Sequence, residues 1–588
     1  MGSGIPRALE SRVPSLIRRG RAVVVAVFLA VLVGRGAYLV SLSRTPLSLW
    51  HLWSETDEWG YVDWSAHLAA GNWRDVPAWR SYFSWQTGYG SPEVWEAWYQ
   101  KNAYFSGPLY PYGLAALRLP FGTPVWPARI LQLLLACLAS AVLALSVFGL
   151  GEEFLRKGRE EGEPARGGAA AAIVAGLLYG LYGPLVFHDG FLLRDGPVAH
   201  ISTLLLAWPL LARRWLEENG ERKISLKGEE TFAAHGGWSA LLLGLLGGLA
   251  ILLKQTSAPL ALASLYCLYS LDSPSKKSPG GAKRRTLLLL GLVGLSLPIG
   301  LLCIRNISAG VPPLTFDTRQ AIGLVWGNAR GADGTTSSPA AMGEILAEAR
   351  GSTLRTARLV LESYRGAPLE LPTLLLKKFA TFWNAFEVPD NANFYFFRDR
   401  IRLLRLLPVF SCLLGVGLAG LFAARSRGVL RREEELLALV AILIPLAACL
   451  LVQTTSRYRS AMAGPLALGA GLFFLLTIEE IRRRRMRKAS LLALAAGVLS
   501  LIPLLPSTIP AGRHRFADAL VYATLVEANV SPAAGAAEID RYLAEGMDDR
   551  DRDSGVSAAR AWLESGDRSN IGLTPEGVAP PAQRYRKP

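Results

Sequence analysis

Eleven apolar runs, most of them approaching bilayer-crossing length, are strung along one chain, with polar segments between them. They lie near 22–43, 125–150, 169–187, 197–212, 237–253, 256–271, 286–304, 403–423, 436–453, 460–478 and 490–506. A helix needs about 20 apolar residues to cross the hydrocarbon core. Inside lipid every backbone polar group must be satisfied within the segment, so such runs fold as helices. The pattern predicts an all-α polytopic membrane protein with about 11 transmembrane helices. The first run is long, lacks a terminal small-residue cleavage site and follows Arg12, Arg18, Arg19 and Arg21, so it reads as a span and not as a removed leader.

The gaps between runs alternate in kind. One set carries Arg156/Lys157/Arg159, Arg213/Arg214/Arg222/Lys223, Lys276/Lys277/Lys283/Arg284/Arg285, Arg425/Arg427/Arg431/Arg432 and Arg482 to Arg485 with Arg487 and Lys488. The positive-inside rule places these loops in the cytoplasm, and 1–21 with them as a basic N-terminus. The other set holds two long segments, 44–124 and 305–402, and a tail, 507–588, all expected outside. Within the tail, 515–546 has helical apolar spacing broken at Pro532, and the end from about 565 is polar and Pro-rich, expected disordered.

Composition decides between this and the alternatives for a large basic chain. As a soluble protein, 588 residues would mean about four domains. Hydrophobic residues are 51% and charged residues 19%, against about 25% charged in soluble domains. The excess of 63 Lys and Arg over 47 Asp and Glu gives +16. That charge is spread over many short loops, which a nucleic-acid surface would not do. Cys137, Cys267, Cys303, Cys412 and Cys449 all lie in apolar runs and read as small buried side chains.

The outer segments hold the candidate chemistry. Segment 44–124 contains Trp50, Trp53, Trp59, Trp64, Trp73, Trp79, Trp85, Trp95 and Trp98. This density suits short helices on the membrane surface, and indoles also stack on sugar faces. Asp57 and Glu58 are placed to open a helix that stops near Gly71. Simple capping is the alternative role for that acidic pair. A second acidic site, His188 to Pro197, offers Asp189 and Asp195, with Asp195 near an N-cap and Pro197 in the first turn. Lys254, Arg305 and the Arg457-Tyr458-Arg459 turn are cationic sites on the same side. A lone Lys there can snorkel, or hold an anionic headgroup. Acids and cations on one membrane face suit a lipid phosphate and a group that must lose a proton.

With those residues in view the chain resembles the GT-C superfamily of polytopic glycosyltransferases. It looks most like the family-39-like bacterial branch, which includes protein O-mannosyltransferases and the lipid A aminoarabinose transferase. The resembling pieces occur in order over about 20–480. They are Asp57-Glu58-x-x-Tyr61, Phe105 to Tyr112, Phe187 to Pro197, Leu253-Lys254, Arg305-Asn306 with Gly323 to Asn328, Lys377-Lys378 with Glu387 to Asn391, and Ser456 to Arg459. Where sugar-lipid enzymes often have Lys-Pro-Pro, this chain has Ser106-Gly107-Pro108.

The resemblance implies that 22–506 is a glycosyltransferase domain in a bacterial inner membrane. It implies a polyprenyl-phosphate sugar donor and a lipid, glycan or protein acceptor, with inversion at the anomeric carbon. Asp57 would be the base, with Glu58 and Asp195 orienting. Lys254, Arg305, Arg457 and Tyr61 would meet the donor phosphate, and Asp189 and Arg459 are further candidates. No cofactor is required, and a divalent metal is compatible but not implied. A flippase or transporter, and a surface-polysaccharide ligase or polymerase, are the competing readings. Transporters commonly place ionisable groups at the bilayer midplane and carry inverted repeats. Here the acids fall at loop edges, and no clear repeat is visible.

Overall fold

The computed structural model describes residues 12–74, 86, 88–100, 102–157, 167–222, 228–270, 280–336, 339–506, 516–544, 557 and 561–564. Every regular element among them is helical. Among the described residues eight helices are long and apolar enough to cross a membrane: Arg19–Ser43, Val125–Arg156, Gly236–Leu253, Arg284–Ser308, Arg402–Ser426, Arg432–Leu451, Ser456–Arg482 and Met486–Leu504. A ninth is added if Gly167–Gly180 and Gly183–Asp189, bent by 49°, form one broken span.

The expected eleven therefore exceed the eight or nine that pass on length and composition. With the bent pair counted as one span, two segments make the difference. Helix Asp195–Arg222 is 28 residues long but carries Pro209 and a polar C-terminal half. Helix Ala258–Tyr269 has 12 residues, about 18 Å at 1.5 Å per residue, against about 30 Å of hydrocarbon. The chain breaks before it because Lys254 is extended and a short turn, Gln255–Ser257, follows.

The bundle packs through small residues, as helices must where lipid is as apolar as their side chains. A Cβ on Gly244 would lie 1.9 Å from the Gly291 carbonyl oxygen, and one on Gly420 would lie 1.8 Å from that of Gly469. At the end of the bundle away from the acidic segments, ion pairs join helix ends. Arg214 lies 3.0 Å from Glu153 and 2.9 Å from Glu434, and Arg431 lies 3.4 Å from Glu153. Arg427 pairs with Glu480. Arg159, Lys223, Lys276, Lys277 and residues 1–11 lie outside the described residues.

The tryptophans correct one expectation. Trp50, Trp53, Trp64, Trp95 and Trp98 are buried in protein and not laid on a membrane surface. The two long segments fold against each other. Trp95, Trp98 and Tyr99 share a small core with Ile322, Val325, Met342 and Leu346. The Trp98 indole donates to the Leu346 carbonyl at 2.7 Å, which satisfies its one polar atom out of water. Trp73 alone of the described tryptophans named here is exposed beyond two fifths. Trp79 and Trp85 lie outside the described residues.

The tail contributes helices Phe516–Asn529 and Pro532–Ala544. They dock on the second long segment through Tyr522 against Phe396 and an Arg400–Glu538 pair at 2.8 Å. Residues 565–588 lie outside the described residues. Cys137, Cys267 and Cys449 are buried, whereas Cys303 is half-buried and Cys412 is exposed on the bundle surface. An apolar surface position costs a thiol nothing where lipid faces it.

Candidate active site

Helix Asp57–Ala69 begins where the sequence predicts. Thr56 caps it by accepting from the Trp59 N–H. Its end is followed by Gly71 at φ +98, a conformation glycine adopts without strain. The cap places Asp57 and Glu58 in the first turn, and successive residues point about 100° apart around a helix. The two carboxylates consequently go to different places.

Asp57 turns into a cleft at one end of the bundle, lined also by Asp195, Lys254 and Arg457. It pairs with Arg319 through one oxygen and with Arg457 at 2.8 Å through the other. Asn391 braces it twice, donating to the carboxylate at 3.2 Å and accepting from the Asp57 N–H at 2.9 Å. Arg457 stands on the short helix Ser456–Arg459, which leads into Ala463–Arg482. Its guanidinium is shared by Asp57, Asp390 at 2.6 Å and Asp195 at 3.6 Å. Asp195 is the first residue of helix Asp195–Arg222 and receives Lys254 at 3.1 Å. The Lys254 ammonium also sits 3.5 Å above the Tyr458 ring.

Burial opposes the charge on Asp57, but Arg319 and Arg457 outweigh it and hold the carboxyl well below the usual carboxylate range. Asp195 is governed the same way, with Lys254 and then Arg457 overcoming burial. Burial pushes Lys254 down, partly countered by Asp195. Glu58 goes the other way. Burial pushes its carboxyl up to about 7, against the weaker pull of Arg129 and the Leu192 N–H.

Glu58 is thus not in the cleft. It accepts from the Leu192 N–H at 2.9 Å and lies 3.8 Å from Arg129 inside the bundle. Asp189 is also interior, paired with Arg35 and with His200 Nε2 at 2.8 Å. Arg305 corrects another expectation. Its guanidinium donates to the Asn102 carbonyl at 2.7 Å and to that of Arg74, and covers the Tyr104 ring at 4.1 Å. Those carbonyls belong to the first long segment, so Arg305 ties loop to bundle. Arg459 pairs with Glu387 at 2.8 Å and donates to the Phe382, Asn384 and Phe386 carbonyls. Tyr61 bonds Ser106 at 2.9 Å and packs edge-on against Tyr110. The structure thus brings Asp57, Asp195, Lys254 and Arg457 together and leaves Glu58, Asp189, Arg305, Arg459 and Tyr61 around them.

The cleft is also lined by Arg319 and Asp317, which lie outside the motifs quoted from the sequence, and by Arg194 and Tyr458, which lie inside them without having been given a role, and Asp390 reaches Arg457. Arg319 lies between the quoted Arg305-Asn306 and Gly323, and Asp390 lies within the quoted Glu387 to Asn391. Among the described residues no group of three His, Cys, Asp or Glu is placed as metal ligands.

No family model matches the sequence, and no curated protein matches it. Solved structures of an oligosaccharyltransferase from Archaeoglobus fulgidus are similar. The apo form aligns over 88% of this chain and 59% of that one, at 16% identity and a TM-score of 0.39. The form tethered to an acceptor peptide aligns over 84% and 57%, at 16% identity and a TM-score of 0.38. An archaeal oligosaccharyltransferase of the same organism, in complex with an inhibitory peptide and a dolichol-phosphate, aligns over 82% and 59%, at 14% identity and 0.31. The chain spans less than two thirds of the length of each of these structures.

Proposed function

We propose that this protein is an integral membrane glycosyltransferase. It transfers a sugar from a polyprenyl-phosphate donor to an acceptor hydroxyl on the extracytoplasmic side, with inversion. The observation that carries the reading is the cleft itself. Two carboxylates, Asp57 and Asp195, and two cations, Lys254 and Arg457, converge at one end of an apolar bundle. A lipid-borne anion can reach that place without leaving the bilayer edge.

In this reading Asp57 takes the acceptor proton. The acceptor oxygen bonds the anomeric carbon, the bond to the phosphate oxygen breaks, and its electron pair leaves on polyprenyl phosphate. Lys254 and Arg457 stabilise that growing charge. Asp195 holds Lys254 in place. Glu58 holds the turn that leads to Asp195 through the Leu192 N–H, and Asp189 supports the bundle from inside it. The order of motifs over 20–480 supports the family-39-like form of the reaction.

The test is transfer of labelled sugar from undecaprenyl-phosphate donors to a panel of lipid, glycan and peptide acceptors in proteoliposomes. Asp57→Asn should lower the rate at least about a hundredfold. Turnover equal to wild type in a well-folded variant would remove Asp57 from the role. Movement of the lipid-linked sugar across the bilayer without an acceptor and without transfer would replace the enzyme with a transporter.

A further inference from the structure

We propose that Arg319 joins Lys254 and Arg457 as a ligand of the donor's phosphate, and that Asp57 holds it in reserve until the donor arrives. This inference rests on the donor class proposed above and adds to it a residue and an order of events.

Four cations line the cleft: Arg194, Lys254, Arg319 and Arg457. Three of them are committed. Arg457 is divided among Asp57, Asp195 and Asp390. Lys254 is held between Asp195 and the Tyr458 ring. Arg194 donates to the Leu253 carbonyl at 3.1 Å and lies 3.8 Å from Asp317. Arg319 has one anionic partner, Asp57. Its side chain is also the most open of the four, 19% exposed against 14%, 13% and 6% for Arg194, Lys254 and Arg457. Its guanidinium has five N–H donors, and the ones Asp57 leaves unused are not buried without partners. Arg319 lines the cleft.

Arg319 precedes helix Gln320–Asn328, and the Phe105 and Trp326 rings flank its guanidinium at 5.1 and 5.8 Å. The two non-bridging oxygens of the donor's phosphodiester match a planar guanidinium by two parallel hydrogen bonds, which a single carboxylate oxygen does not use. If Arg319 turns to the phosphate, Asp57 keeps Arg457 and Asn391. Its charge stays compensated while one of the two guanidiniums that suppress its basicity is withdrawn. Donor binding then makes Asp57 a better base, and an unloaded cleft is a poor one.

The experiment measures binding of radiolabelled undecaprenyl phosphate to the full chain in phosphatidylcholine nanodiscs, with undecaprenol as the uncharged control. Wild type should prefer the phosphate. Arg319→Gln should weaken phosphate binding about tenfold or more, and Arg319→Lys should retain part of it. Asp57→Asn should tighten binding about tenfold, because Arg319 is no longer held. In the double variant that tightening should disappear. Unchanged binding in Arg319→Gln overturns the proposal, as does a tightening that persists in the double variant and so reflects lost repulsion alone. Equal binding of undecaprenol and undecaprenyl phosphate to wild type overturns the donor class itself. That result differs from one in which wild type selects the phosphate and only the Arg319 variants fail to respond.

Discussion

Asp57 and Glu58 are consecutive, yet their carboxylates answer to different parts of the protein. Asp57 is gripped by Arg319 and Arg457 in the cleft, and Glu58 by the Leu192 N–H and Arg129 in the bundle. One residue of helix rotation separates a charge held on from a charge nearly pushed off. The same turn of helix therefore ties the cleft to the 189–195 turn that carries the second acid.

Glu58 should make stability depend on pH in a defined direction. Its carboxyl is pushed up to about 7 from an ordinary value of 4.5. Between those values the folded state holds more protons than the unfolded state, so stability falls as pH rises through the window. The span is on the order of 3 kcal/mol at most. Glu58→Gln keeps an acceptor for the Leu192 N–H and cannot titrate. Thermal unfolding in detergent should show the wild type losing ground to Glu58→Gln from about pH 4.5 to about pH 7. Parallel pH profiles for the two proteins would contradict the burial argument.

Asp189 and Asp195 should separate stability from turnover. Asp189 is sealed between Arg35 and His200, so Asp189→Asn leaves a buried guanidinium short of its counter-charge. The expected loss is about 3–5 kcal/mol of stability, with ordinary turnover in the fraction that folds. Asp195→Asn should do the reverse. Lys254 keeps Tyr458 but loses its carboxylate, and kcat should fall at least about tenfold from misplacement of the ammonium. Melting temperatures and rates of the two variants, measured side by side, decide it. The same damage pattern in both would defeat the division.

The helical bundle was legible because the bilayer imposes one rule on every span. Asp57, Asp195 and Lys254 were legible because each sits at a helix boundary, where caps and charge leave a pattern. Arg319 and Asp390 were not, since one precedes helix Gln320–Asn328 and the other lies between helices Glu370–Trp383 and Phe394–Arg400, where no helical pattern registers a side chain. Arg457 and Arg459 could not be told apart by type. They are two residues apart on a helical turn and so point roughly 200° apart, one to Asp57 and the other to Glu387. The indoles misled for a related reason. A dense Trp segment fits a membrane surface, but sequence does not reveal a second segment able to bury it.

Arg457→Gln should expose how much of the cleft depends on one guanidinium. It leaves Asp57, Asp195 and Asp390 facing one another with less positive charge between them. Their carboxyls should move upward, and stability should drop by about 3–5 kcal/mol near neutral pH. Lower pH protonates those carboxyls in the variant before it does so in wild type, so the deficit should shrink as pH falls. A deficit constant with pH, read from unfolding midpoints, would assign the loss to packing.

Lys378 gives the last prediction. Its side chain is fully buried, and its ammonium donates to Asn328 Oδ1 at 2.8 Å and to the Leu450, Gly327 and Val452 carbonyls at 2.6, 3.2 and 3.3 Å. Those acceptors lie at the C-terminal ends of helices Gln320–Asn328 and Arg432–Leu451. A cation there satisfies carbonyls that have no intrahelical partner and complements both dipoles. The two ends also carry Trp326, Val452 and Gln453 into the cleft wall. Lys378→Met preserves the length of the side chain and removes every donor. Each orphaned carbonyl costs about 1–3 kcal/mol, so the variant should melt well below wild type. Because the helix ends then separate, kcat should fall as well, although Lys378 is not among the residues lining the cleft. A variant with lowered melting and unaltered kcat would show that the two helix ends keep their places without it.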